Sequence, residues 1–435
     1  MKRIQLSIAL AAAVVAATAV FFGGVARSPG DGNPSSRRAD AVAAQLVNGF
    51  AAGNTADYVR ELERRTAKGG QGNAQTLATL GLAYLQLVRE RGDPSFYPKA
   101  QRALEGALRL DARDPYATTG LAALAASRHR FAEARSLAKE AVALSPSAAA
   151  PYGILGDALV ELGRYEEAFA AFDRMASLKP SATAYARVSY ARQLLGDTRG
   201  AEDAMKLAVE AAGPAVEPAA WSTVHLGNLQ LEQGRLERAA RLYRHALDRQ
   251  AAYGPALSGL ARVEFLRGKH RAAADLYREA LAQAELPEFA TGLGDTYAAL
   301  GRAEAAEAAW KLSDKLEAAF ARYGGRNDLE TALFDLNHGR NLRSALERAR
   351  AGQLERPSVE GEHVLAWALY NNGRCEEARS HSVRALRLGT KDVDAMLHRS
   401  LIERCLGNSE AAVAFRARAL AANPYGLVAF GQSVP

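Results

Sequence analysis

Apolar residues along most of this chain recur every three or four positions, the spacing that places them on one face of an α-helix. The apolar positions between residues 152 and 159 form one such set, and Ala168, Phe172 and Met175 form the next. Gly163 separates the two sets, and glycine ends helices readily because it adopts left-handed backbone angles without a steric cost. No run of alternating β-branched or aromatic residues bounded by turns indicates a strand. The pattern predicts an all-α fold built from pairs of helices.

The helix pairs repeat along the chain. A phrase consisting of a glycine, a few variable positions and an alanine-rich helix begins at Gly163, Gly196, Gly234, Gly268, Gly301, Gly373 and Gly407. The intervals are 33, 38, 34, 33, 72 and 34 residues, of which the longest corresponds to two repeats. One hairpin cannot bury its own apolar face, so neighbouring hairpins must stack. The spacing predicts a solenoid of about ten units across residues 74–426.

Within each unit, small and large residues follow a fixed order. Leu226-Gly227 precedes Ala239, Tyr243 and Ala246, and Leu293-Gly294 precedes Tyr297, Ala306 and Trp310. This order resembles the tetratricopeptide repeat, or TPR. The resemblance implies an all-α, right-handed superhelical solenoid of tandem TPR helical hairpins. Residues 329–426, with phrases at 365–370 and 421–424, further resemble the C-terminal module of exported bacterial TPR proteins.

The N-terminus differs in kind from the repeats. Lys2 and Arg3 precede an uncharged stretch, residues 4–26, which fits either a cleaved signal peptide or a retained membrane anchor. Both interpretations predict an exported protein, either secreted or in the periplasm or cell envelope. We divide the chain into a signal peptide or N-terminal membrane anchor (1–26), a flexible tether (27–39), a helical cap (40–73), three sets of TPR units (74–213, 214–323 and 324–426) and a tail (427–435).

Charge and motifs argue against several classes of function. The formal net charge is +7, but basic and acidic residues are interspersed along every helix, whereas a nucleic-acid-binding protein usually clusters basic residues on one face. The chain contains no phosphate-binding GxxxxGK[ST], nucleophile-elbow GxSxG or HExxH motif. We therefore expect no enzymatic activity, no cofactor and no nucleic-acid partner. The abundant carboxylates are interpreted as solvated helix faces.

The histidines and cysteines of the C-terminal units invite a metal-site hypothesis. His363, His381 and His398 lie in adjacent units that also contain Cys375 and Cys405. The repeat places His363 and His398 near helix starts and both cysteines at the opposite hairpin turns, about 10 Å or more away at 1.5 Å per residue. We therefore expect no metal site.

The two cysteines are the only ones in the chain. Cys375 follows one hairpin glycine and Cys405 precedes the next, so stacking brings them to the same edge of the solenoid. In an oxidising compartment they could form a disulfide. Two free thiols are the alternative, because stacked helices can hold Cα atoms beyond the bridging limit of about 7 Å.

The expected binding surface is the concave groove lined by the first helix of each unit. Aromatic residues and arginine are frequent hot spots in such interfaces, although each could instead fill a gap between units. The predicted function is a protein-binding scaffold or adaptor that holds a peptide or partner domain in this groove. The alternative is a non-catalytic accessory subunit of a polysaccharide or cell-wall assembly system. The candidate groove residues are Tyr190, Trp221, Asn228, Arg262, Phe265, Phe334, Trp367 and Tyr370.

Overall fold

The computed structural model describes residues 55–67 and 73–426, which fold into 21 α-helices with no strand in those ranges. The predicted signal peptide or anchor (1–26), the tether, the first part of the cap and the tail lie outside the described residues. The helices are α1 (Thr55–Ala67), α2 (Ala74–Arg91), α3 (Tyr97–Leu110), α4 (Pro115–Ser127), α5 (Phe131–Leu144), α6 (Ala149–Glu161), α7 (Tyr165–Leu178), α8 (Ala182–Leu194), α9 (Thr198–Ala212), α10 (Val216–Glu232), α11 (Leu236–Arg249), α12 (Gly254–Leu266), α13 (His270–Gln283), α14 (Pro287–Ala299), α15 (Ala303–Arg322), α16 (Asp328–Asn337), α17 (Leu342–Glu355), α18 (Val359–Asn371), α19 (Cys375–Ala385), α20 (Val393–Cys405) and α21 (Ser409–Ala422).

Helices α2 to α21 pack as ten consecutive antiparallel hairpins, and each hairpin stacks on the next. The predicted all-α solenoid of helical hairpins is confirmed. The glycine phrase marks the turn inside a hairpin: Gly163, Gly196 and Gly268 have φ angles of 70°, 73° and 75°. Polar residues start several of the first helices by accepting from backbone N–H groups, as Asp114 does from Tyr116 and Ala117.

The Leu-Gly step of each first helix has a packing role. A Cβ atom added to Gly227 would lie 2.7 Å from the Tyr243 ring of the paired helix. The same addition at Gly156 would overlap Phe172, and at Gly294 it would overlap Trp310. Because glycine lacks a side chain, the large residue of the second helix can pack against the backbone of the first. The recurring small–large order is thus the packing contact within a hairpin.

The solenoid winds tightly enough for its successive superhelical turns to touch. Among the described residues, six hydrogen bonds, including one from the Asn423 side chain to the Leu231 carbonyl, join residues that are 192 to 198 positions apart in the chain. Each contact has the same form: the tight turn within a hairpin of the first superhelical turn packs against a loop between two hairpins of the second. We call this set of contacts the inter-turn seam. Its pairs of positions are 92 with 285, 129 with 326, 163 with 357, 196 with 389, and 234 with 423–424.

The later hairpin turns have no such neighbour. Cβ atoms added at Gly268, Gly301, Gly339, Gly373 and Gly407 would meet nothing within 4 Å among the described residues. At this open edge the structure pairs Cys375 and Cys405 in a disulfide, with Cα atoms 6.3 Å apart.

Among the helices that the structure describes, none combines the length and apolarity required to cross a membrane.

Candidate functional site: the lumen of the superhelix

The first helices of the units surround a cavity of about 760 Å³, which we call the lumen. Its wall includes residues from the first superhelical turn, such as Leu85 and Tyr190, and from the second, such as Phe334 and His363. A volume of this size lies within the range of about 300–1,000 Å³ that ligand sites occupy. The lumen exists because the seam brings the two superhelical turns together, so that units distant in the chain face one another.

Six of the eight candidate groove residues lie in the lumen wall, namely Tyr190, Trp221, Asn228, Arg262, Phe265 and Phe334. The rings of the aromatic members contact side chains close by in the sequence. The Trp221 ring lies 3.9 Å from the His225 ring, measured between centroids, and the Phe334 ring lies 4.3 Å from the His338 ring. These contacts orient the aromatic faces while leaving part of each exposed to the lumen.

Trp367 and Tyr370 lie elsewhere. Trp367 is only 5% exposed and stacks between the rings of His398 and Tyr370, with centroid distances of 3.6 and 5.1 Å. Its indole N–H donates a 3.0 Å hydrogen bond to the side-chain oxygen of Asn337 in the preceding unit. Trp367 therefore packs the interface between units, and the structure does not bring it together with the six lumen residues.

One position of the first helix supplies a polar group to the lumen in three consecutive units. Asn228, Arg262 and Asp295 occupy it, at intervals of 34 and 33 residues, and all three line the lumen. Asn228 accepts a 2.7 Å hydrogen bond from the Tyr243 hydroxyl. Asp295 accepts one of 2.9 Å from Trp310 and contacts His338 at 2.7 Å. Asp295 was missed in the sequence analysis, although its spacing from Arg262 would have identified it.

A buried ionic network joins the two superhelical turns at the lumen wall. The Arg356 guanidinium donates to Glu161 at 3.0 Å and to Glu330 at 2.6 Å, and it also lies over the Phe131 ring. Arg356 is 8% exposed and Glu161 is 4% exposed. Although burial opposes its charge, the two carboxylates raise the pKa of Arg356, so the network stays ionised. Sequence periodicity gave no sign of this network because Arg356 and Glu161 lie 195 residues apart.

His363 of the lumen wall forms a pair with His398. His363 Nε2 and His398 Nδ1 are 2.7 Å apart, and both residues are buried. Burial opposes protonation of His363, but Glu360, Asp392 and Asp394 more than offset it and raise the pKa of His363 to about 9. Burial lowers the pKa of His398, and the charge of His363 lowers it further. Within the described residues, no three His, Cys, Asp or Glu side chains are placed to hold a metal ion.

Several carboxylates of the lumen region resist ionisation. Desolvation raises the pKa of Glu317 to about 7, with further contributions from the charges of Glu330, Glu288 and Asp314. Burial also raises the pKa of Glu232 to about 7, which the nearby Arg262 partly counteracts.

The chain was compared with protein families, curated proteins and solved structures. The tetratricopeptide repeat family model matches residues 79–149, 124–183, 224–287 and 363–426, together just over half of the chain. No curated protein matches it. The crystal structure of the APC/C hetero-tetramer Cut9-Hcn1 is similar at 14% identity and a TM-score of 0.41, over 90% of this chain and 83% of that one.

Two further solved structures are similar. The human IFIT1 dimer with m7Gppp-AAAA is 16% identical with a TM-score of 0.49, over 82% of each chain. The human IFIT1 dimer with PPP-AAAA is 14% identical with a TM-score of 0.43, over 88% of this chain and 83% of that one. At these identities the likeness concerns the fold alone.

Proposed function

The chain belongs to the tetratricopeptide-repeat family, and from that premise we propose that it is a non-catalytic scaffold that holds a segment of a partner polypeptide in its lumen. The observation that carries the proposal is the convergence of six predicted binding residues, from units up to 144 residues apart, on one cavity of about 760 Å³. Exposed aromatic faces in a concave site are the usual anchors of protein recognition. The interior of the superhelix is therefore the proposed binding site, in preference to its outer faces.

Site-specific photo-crosslinking tests where the partner binds. Benzoylphenylalanine replaces Phe265 or Phe334 in the lumen and, as a matched control, Leu354, an outer residue that is 80% exposed. We expect both lumen positions to crosslink to the same short segment of one partner, and Trp221→Ala to reduce the yield at Phe334. Crosslinking from Leu354 alone, or lumen crosslinks that Trp221→Ala leaves unchanged, would contradict binding in the lumen.

The alternative role in polysaccharide or cell-wall assembly predicts a different ligand for the same rings. Aromatic faces stack on sugars as well as on side chains, so soluble glycan fragments belong in the crosslinking experiment as competitors. If glycan fragments abolish crosslinking to the polypeptide, recognition of a polysaccharide replaces recognition of a protein segment.

We also propose that the protein acts outside the cytoplasm, in the cell envelope or as a secreted protein. The basic and apolar pattern of residues 1–26 supports export, and a Cys375–Cys405 disulfide would persist in an oxidising compartment. Mass spectrometry of the protein from its host, alkylated without reductant, tests both points. The expected result is unlabelled cysteines in an extracytoplasmic fraction; two labelled cysteines in the cytosol would contradict the proposal.

A further inference from the structure

The charge of the lumen wall is opposite in sign to that of the whole chain. The chain has a formal net charge of +7, but the wall contains eleven Asp and Glu residues against three arginines and no lysine. The acidic members are Glu90, Glu161, Glu217, Glu285, Glu288, Asp295, Asp314, Glu317, Glu330, Glu360 and Asp392. The cavity is therefore acidic, although the chain as a whole is basic.

The arginines of the wall are already close to carboxylates. Arg89 lies 3.0 Å from Glu217, and Arg356 contacts both Glu161 and Glu330. Burial raises the pKa of Glu232, and the charge of Arg262 partly counteracts that rise. The wall also contains His338 and His363, whose pKa values neighbouring carboxylates raise despite burial. Together with the three arginines, they offset only part of the negative charge of the eleven carboxylates.

The remaining acidic groups concentrate on α14 and α15. Glu288 lies in the first turn of α14, and Asp314 and Glu317 are three residues apart on α15, so they share one face of that helix. Asp314 already pairs with Arg340 at 3.0 Å. Neither Glu288 nor Glu317 forms a salt bridge with a described residue; Glu317 accepts a 2.6 Å hydrogen bond from Asn327. Leu316, Phe289 and Phe320 supply apolar surface in the same stretch of wall.

We propose that the lumen selects a cationic partner segment, one in which lysine or arginine side chains alternate with apolar ones. This inference rests on the proposed function and adds the chemistry of the ligand. The basic side chains bind at Glu288 and Glu317, and the apolar ones pack against Phe265, Phe334 and their neighbours. A nucleic acid would place its phosphates against the same carboxylates, and like charges at an interface oppose binding.

The groups that face Glu317 give the binding a pH dependence of known sign. Burial is the main cause of its raised pKa; the charges of Glu288 of α14, Asp314 of α15 and Glu330 of α16 raise it further, and the hydrogen bond from Asn327, in the loop before α16, lowers it. A cationic segment binds the ionised carboxylate, so its affinity rises as the pH increases through 7. An anionic ligand shows the opposite trend.

The test is fluorescence anisotropy of the full chain with three labelled twelve-residue peptides of repeating Lys-Leu-Gly, Gln-Leu-Gly or Glu-Leu-Gly, and with a twelve-nucleotide oligouridine. We expect the Lys peptide to bind at least about tenfold more tightly than the Gln peptide, and the Glu peptide and oligouridine more weakly still. Affinity for the Lys peptide should fall with added salt, because salt screens charge pairs.

A matched pair of variants tests whether the lumen carboxylates cause the preference for the Lys peptide. E288Q/E317Q removes two carboxylates from the lumen, and Gln at 317 can still accept from Asn327. E304Q/E307Q removes two carboxylates from exposed positions on α15. We expect the lumen variant to lose about tenfold in affinity for the Lys peptide and most of its pH dependence, and the surface variant to change less than about twofold. Thermal melting checks that both variants fold.

Three results would overturn the inference: equal binding of the Lys and Gln peptides, equal loss in the two variants, or tighter binding of the Glu peptide or oligouridine. Crosslinking from benzoylphenylalanine at position 334 distinguishes failure of the cationic preference from failure of the proposed function. If a partner segment still crosslinks in the lumen while charge has no effect, the scaffold role survives and the cationic preference fails.

Discussion

The hairpin turns of this protein share one backbone geometry but have two different environments. Gly196 and Gly268 have φ angles of 73° and 75°, yet a Cβ atom at Gly196 would overlap the Gly389 carbonyl, whereas one at Gly268 would meet nothing within 4 Å. The first is part of the seam and the second lies at the open edge. The repeat alone dictates the left-handed glycine, and the superhelix determines whether that glycine also supports a contact between turns.

The two sets of turns are stabilised differently. At the seam, residues about 194 positions apart provide hydrogen bonds and the Arg356 network, and these contacts close the lumen. At the open edge, where the C-terminal turns have no second superhelical turn beside them, a disulfide links two neighbouring units.

Arg356→Ala should reduce the free energy of unfolding by about 3–5 kcal/mol, because it leaves Glu161 buried without its cation. Arg374→Ala at an open turn removes an exposed pair with Glu377 and should cost at most about 1 kcal/mol. Urea denaturation followed by circular dichroism measures both. Equal losses would show that the seam contributes no more than a surface ion pair.

Reduction of the Cys375–Cys405 disulfide should lower the stability of the C-terminal units by about 3–4 kcal/mol on the chain-entropy model for a loop of this length. The loss should be confined to the open edge, so proteolysis under mildly reducing conditions should begin in α18 to α21. A double Cys→Ser variant that resists protease as well as the oxidised protein does would refute this role.

Gly196→Ala and Gly268→Ala should each lower the free energy of unfolding by about 1–2 kcal/mol, because alanine is strained in the left-handed backbone conformation of both positions. Only Gly196→Ala also forces the Gly389 loop to move, which should add about 1–3 kcal/mol. Thermal denaturation of the two variants gives the difference directly. If the two alanines are equally tolerated, the turn at 196 does not touch the next superhelical turn in solution.

Glu317→Gln should stabilise the fold at pH 8 by an amount on the order of 1–2 kcal/mol. Desolvation raises the Glu317 pKa to about 7, so the folded state holds a proton that the unfolded chain releases near its usual value of 4.5. This group's contribution to stability is therefore present below about pH 4.5 and is lost as the pH rises to 7 and above. Glu307→Gln on the outer face of α15 should change stability by only a few tenths of a kcal/mol at either pH. A stability gain for Glu317→Gln that is the same at pH 4 and pH 8 would contradict this explanation.

The local structure of each hairpin could be predicted from the sequence, because its causes lie within one repeat. Gly163 ends a helix, and Gly156 admits the Phe172 ring, through contacts spanning fewer than 20 residues. The repeat also predicted six of the lumen residues, because inward positions recur every 34 residues or so. Whether Trp367 faced the groove or a neighbouring unit depended on side-chain packing that the period does not encode.

The seam and the acidic lumen could not be predicted in this way. Contacts such as that between Arg356 and Glu161 depend on the pitch of the superhelix, which accumulates from small rotations over nearly six repeats. Glu288 and Glu317 looked like ordinary solvated helix residues for the same reason. Only closure of the second superhelical turn over the first places them in a shared cavity.

Hydrogen exchange at two valine amides tests the closed seam most directly. Val359 and Val393 are the first residues of α18 and α20, a position whose N–H has no partner within its own helix. Val359 N–H donates a 2.7 Å hydrogen bond across the seam to the Tyr165 hydroxyl, whereas no described residue accepts from Val393 N–H. After correction for intrinsic rates, we expect Val359 to exchange at least about tenfold more slowly than Val393, and Tyr165→Phe to remove the difference. Equal exchange at the two valines in the unmodified protein would contradict a superhelix closed around its lumen.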